Sequence, residues 1–165
     1  MIPQIKKILF ATDLSKNSVY AFFYATHMAR RDEAKIVIMH AVEPIAPMLV
    51  NFEDFRHQVA KDRWEETTIK FKERIQNISV KADARTGVSS ADLISNILIR
   101  LGNPVEEILK VADEENCDVI VLGSHGKGFL EKTFLGSVSS AVLLQTRKPV
   151  FLIPLPSEDT SLDLI

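Results

Sequence analysis

Five short runs of apolar residues recur along the chain: Lys7-Ile8-Leu9-Phe10-Ala11, Ile36-Val37-Ile38-Met39, Ile97-Leu98-Ile99, Val119-Ile120-Val121-Leu122 and Val150-Phe151-Leu152-Ile153. Each is too brief for a helix and apolar on consecutive positions, as a strand covered on both faces should be. The segments between them are long enough for crossover helices. Strands alternating with helices imply an α/β chain with a parallel, doubly wound sheet and right-handed crossovers. In such a sheet ligands sit beyond the carboxyl ends of the strands, where the strand order reverses.

The connecting segments carry their own signals. Ser15 can cap a helix from Lys16 to about Arg31, with Val19, Phe22, Phe23 and Met28 at helical spacing. Pro44 and Pro47 rule out regular structure between Glu43 and Val50, and a long charged helix is expected from about Phe52 to Asn77. Its broken apolar stripe runs through Phe55, Val59, Trp64, Phe71, Ile75 and Ile78. Beyond it Val80, Ala82 and Ala84 alternate with Lys81, Asp83 and Arg85, which reads as an edge strand or an insertion near residues 79–93. Asn103 and Pro104 start another helix, asparagine as cap and proline in the first helical position, ending near Asn116. Pro149 and Pro154 bracket the fifth run and suit a strand at the sheet edge.

With 165 residues the chain suits one domain, expected over residues 1–156, followed by a loose polar tail over 157–165. A hydrophobic share of 46% argues against disorder, and a net charge of -2 gives no general attraction to nucleic acid or to a membrane surface. Cys117 is the only cysteine, so no intramolecular disulfide can form; it reads as a small core residue in a cytoplasmic protein. The opening MIPQIKKILFATD lacks the apolar length and flanks of a signal peptide, and no apolar run reaches membrane-spanning length.

The chemistry concentrates in Asp118 to Ala141, DVIVLGSHGKGFLEKTFLGSVSSA. A strand ends at Gly123, a loop carries Gly126 and Gly128, and Gly136-Ser137 opens a helix. Glycine lets backbone N–H groups approach an anion closely, and the first N–H groups of a helix are unpaired donors with partial positive charge. A P-loop is excluded, because no glycine here is followed by Lys and then Ser or Thr. The dinucleotide fingerprint fails as well, lacking its third glycine and following the fourth strand rather than the first. If the first and fourth strands flank the switch point, Asp13 and Gly123 face one another across it. By itself Asp13 reads as a helix-entry residue.

Gly123, two residues, Gly126, nine residues and Gly136-Ser137 form a spacing that resembles the ATP-binding signature of the universal stress protein family. KKILFATDLS, IVIMHAV, LGNPVEEILKVA, DVIVLGSHG and KPVFLIP agree in place and order, covering nearly the whole chain except about residues 45–95. The resemblance implies a Rossmann-like, adenine nucleotide alpha hydrolase-like fold: five parallel strands in the order 3-2-1-4-5, numbered along the chain, with helices on both faces. It also implies a homodimer through the fifth strand, Val150 to Ile153, and ATP (or AMP or ADP) between strands 1 and 4, with Mg²⁺ bound through the phosphates. Carried over by position, Asp13 beside Ala11 and Thr12 would hold the ribose hydroxyls, and the backbone at Ala41 would meet the adenine edge. Leu122, Gly123, His125 and Gly126 would line the ribose and phosphate path, while Gly136, Ser137, Val138 and Ser139 would bind phosphates.

Two functions fit these residues: a nucleotide-dependent regulatory or stress-response protein, or a slow ATPase or phosphotransferase using the same cleft. Phosphoryl transfer usually needs a charge stabiliser such as arginine, and the motif loop has none, with Glu131 its only acidic residue. No catalytic residue is assigned. His125 reads as a wall residue, Lys127 as a phosphate neutraliser or a solvated loop lysine, and His27 and His57 as helix-surface residues. His40 is expected to pack at a strand end, and no pair of histidines has metal-ligand spacing.

Overall fold

The computed structural model describes residues 3–43, 53–124 and 135–154. The elements follow in the order β1 (Lys7–Ala11), α1 (Lys16–Arg31), β2 (Lys35–Val42), α2 (Glu53–Thr86), a 3₁₀ turn (Ala91–Leu93), β3 (Ile94–Leu101), α3 (Pro104–Glu114), β4 (Val119–Gly123), α4 (Ser137–Gln145) and β5 (Val150–Ile153). The five strands form one parallel sheet in the order β3-β2-β1-β4-β5. All five expected strands are present.

Side-chain alternation along each strand assigns the two faces. Ile8, Phe10, Ile36, Ile38, Val119 and Val121 point to a core shared with α1 and α2, through Phe22, Ala25, Met28, Phe71 and Ile75. Leu9, Val37, Met39, Ile120 and Leu122 point the other way, against Ile108, Val111 and Ala112 of α3 and Val142 of α4. Helices therefore cover both faces, which is why these strands read as unbroken apolar runs. Chain order turns back between β1 and β4, so the switch point lies between them, as the resemblance implied.

One expectation fails. Residues 79–86 are the last turns of α2, not an edge strand. Ala82 is buried and Val80 exposed because Phe71, Ile75, Ile78 and Ala82 recur at helical spacing. The apparent alternation was a two-residue reading of that stripe, carried mostly by alanine, which has little strand preference. The helix stops at Gly87, whose φ of +68° suits glycine and whose N–H closes on the Asp83 carbonyl at 2.7 Å. β3 is also longer than the Ile97–Ile99 run, spanning eight residues.

Pro44, Pro47 and the tail over 157–165 lie outside the described residues, as do the side chains of Phe55, His57 and Val59. Among the described residues no helix is long and apolar enough to cross a membrane.

Candidate functional site

One half of the site is built at the end of β1. The Thr12 N–H donates to the Met39 carbonyl at 2.9 Å, continuing the ladder between β1 and β2. The Thr12 carbonyl receives His40 Nδ1 at 2.7 Å; since a carbonyl can only accept, that ring nitrogen carries the proton. The His40 ring stacks on Phe71 of α2 with 5.1 Å between centroids and 14° between planes, so the expected packing at a strand end is present. Thr12 Oγ1 also accepts from the Leu14 N–H at 3.0 Å and from the Ser18 hydroxyl. Both backbone groups and the side chain of Thr12 are thus fixed, and Asp13 leaves a rigid support.

Asp13 is partly buried, and its Oδ1 accepts the Ser15 N–H at 2.9 Å. Leu14, between them, has a φ of +61°, a left-handed conformation held by these local bonds. Ser15 then caps α1, its hydroxyl accepting from the Ser18 N–H. The helix-entry reading of Asp13 is therefore real, and it uses one carboxylate oxygen. Ala11 and Leu122 are buried apolar side chains on the α3 and α4 face, so any group they offer the crevice is backbone. Ala41 sits near the end of β2, opposite Arg100 of β3.

The other half is the start of α4. Gly136 is its N-cap, in extended conformation, and makes no side-chain capping bond. The first bond of the helix ladder runs from the Ser140 N–H to the Gly136 carbonyl at 2.9 Å. The N–H groups of Ser137, Val138 and Ser139 precede it and have no helical acceptor. Ser137 is exposed, Val138 packs partly into the core, and Ser139 is buried. The Ser139 hydroxyl donates to the Gly123 carbonyl at 2.8 Å, and the Gly136 N–H donates to the Ser124 carbonyl at 2.7 Å. These two bonds tie the start of α4 to the end of β4. His125, Gly126, Lys127, Gly128 and Glu131 lie outside the described residues.

One contributor escaped the sequence reading. Asn17, in the first turn of α1, is 3% exposed, and its side-chain amide donates to the Ile153 carbonyl at 2.9 Å. That carbonyl also accepts the Ser124 N–H at 2.9 Å. No local sequence signal marks it, because its partner is 136 positions away along the chain.

Cys117 is buried, as expected, and precedes the opposite end of β4. Burial pushes its thiol up to about 11, which leaves it uncharged and without nucleophilic character at neutral pH. Among the described residues no group of three or more His, Cys, Asp or Glu side chains is placed to hold a metal ion.

Comparison with known proteins agrees with this architecture. The universal stress protein family model matches residues 4–154. A universal stress protein of Thermus aquaticus is 34% identical over 148 residues, covering 90% of this chain and 98% of the relative. Universal stress protein MJ0577 of Methanocaldococcus jannaschii is 27% identical over 162 residues, covering 90% and 94%. Two solved structures share the fold. One is a universal stress protein in complex with cAMP (22% identity, TM-score 0.59, covering 92% and 98%), the other an Archaeoglobus fulgidus universal stress protein in complex with dAMP (21%, 0.56, covering 93% and 99%). Sheet order, glycine spacing and a family match over nearly its whole length lead to one conclusion: this chain belongs to the universal stress protein family.

Proposed function

We propose that this protein binds an adenine nucleotide, ATP with Mg²⁺ on its phosphates, and acts as a nucleotide-dependent regulatory or stress-response protein in the cytoplasm. The observation that carries the reading is that β1, which leads into a fixed carboxylate, lies beside β4, whose end is tied to a helix start without a side-chain cap. Asp13 accepts the ribose hydroxyls, and the Ala41 backbone meets the adenine edge. Gly123 lines the path to the phosphates, which sit on the N–H groups of Ser137, Val138 and Ser139 and the Ser137 hydroxyl. Relatives in complex with cAMP and dAMP support an adenine ligand.

Binding is favoured over hydrolysis because the motif loop carries no arginine to stabilise the charge of phosphoryl transfer. The second association is with another copy of the chain through β5, which lies at the sheet edge with Phe151 exposed; Leu143 and Leu144 of α4 are exposed as well. Calorimetric titration with ATP and Mg²⁺ tests the reading. Saturable heat with one nucleotide per chain is expected, and no heat at millimolar nucleotide overturns it. Phosphate release measured beside a Gly136→Asp control separates intrinsic turnover from contamination.

A further inference from the structure

Resting on the adenine-nucleotide reading, we infer that Asn17 is the positioning residue of the phosphate half of the cleft. It sets the ends of two strands at once. Its amide shares the Ile153 carbonyl with the Ser124 N–H, each at 2.9 Å, so β5 and the residue leaving β4 are held to the first turn of α1. Gly123 lies flat against it: a Cβ there would stand 2.9 Å from Asn17 Oδ1, 3.1 Å from its Cγ and 3.2 Å from its backbone carbon.

Gly123 and Ser124 are in turn the residues that receive α4. The Gly123 carbonyl accepts the Ser139 hydroxyl, and the Ser124 carbonyl accepts the Gly136 N–H. The order of dependence is therefore Asn17, then Gly123 and Ser124, then the N-terminal donors of α4. The Thr12 backbone draws its support from Met39 and His40 of β2 instead. Loss of the Asn17 amide should loosen the phosphate end while leaving the β2 support of the nucleoside end in place.

The test compares two probes, adenosine and ATP with Mg²⁺, by calorimetry on wild-type protein and on Asn17→Ala. ATP affinity should fall by about tenfold or more, the size expected when one buried hydrogen bond and its packing are lost, while adenosine affinity changes by less than about twofold. The Ser124 amide resonance should move in the unliganded variant. Should Asn17→Ala fold poorly, Asn17→Leu fills the space without the amide and should give the same split. Equal losses for both probes, or no loss for either, overturn the inference while the nucleotide reading stands. Wild-type protein that binds neither probe overturns both.

Discussion

Gly123 packs against Asn17 so closely that any Cβ on it would come within 2.9 Å of the Asn17 side-chain oxygen. Replacement by alanine forces α1 or β4 to shift, an overpacking cost of about 1–3 kcal/mol. Gly123→Ala should therefore unfold at lower urea concentration with an unchanged m-value, and Asn17→Ala should recover part of the loss in the double variant. The recovery should be incomplete, since the Asn17 backbone carbon stays 3.2 Å from the new Cβ.

Asp13→Asn separates the two uses of that carboxylate. Asparagine keeps an oxygen for the Ser15 N–H, so thermal stability should change little. A charged acceptor for ribose hydroxyls contributes about 1.5–3 kcal/mol, so ATP affinity should fall by at least about tenfold. A variant with wild-type affinity by calorimetry would remove Asp13 from the site.

The buried Cys117 thiol gives a pH dependence of defined sign. Its folded value of about 11 lies above the ordinary 9.0, so the unfolded chain loses this proton first. Its stabilising contribution is complete below pH 9 and is lost as pH rises from 9 toward 11. Denaturation midpoints followed from pH 8 to 11 should fall more steeply for wild type than for Cys117→Ala. Parallel curves would show that the thiol does not contribute.

The proposed association through β5 predicts a change in mass. Phe151 is 43% exposed on the edge strand, and Leu144 of α4 is 85% exposed. Sedimentation equilibrium should find a dimer for wild type and a monomer for Phe151→Lys, with no change in far-ultraviolet dichroism. An equal mass for both proteins would place any dimer elsewhere.

The parts of this fold that the sequence revealed are those written in consecutive residues. Strands covered on both faces have no polar positions, so Ile36 to Met39 and Val119 to Leu122 declared themselves. The Asn103 cap was equally readable, and it accepts the Val105 and Glu106 N–H groups. The end of α2 was not, because Ala82 and Ala84 fit a strand face and a helix face equally well in a short window. Of the site, Asp13 and the glycine spacing were visible as local chemistry. Asn17 was hidden, since its role depends on Ile153 and Gly123 arriving beside it only after the sheet has formed. His40 was foreseen at a strand end, but its bond to the Thr12 carbonyl required the pairing of β1 with β2.

The most direct test of the account is a nitrogen-15 amide spectrum of the protein titrated with ATP and Mg²⁺. The account predicts saturable shifts in two groups at one affinity: Asp13 and Ala41 at the nucleoside end, and Gly123, Ser124, Gly136, Ser137 and Ser139 at the phosphate end. Absence of shifts at millimolar nucleotide, or shifts confined to residues away from the β1/β4 switch point, would contradict it.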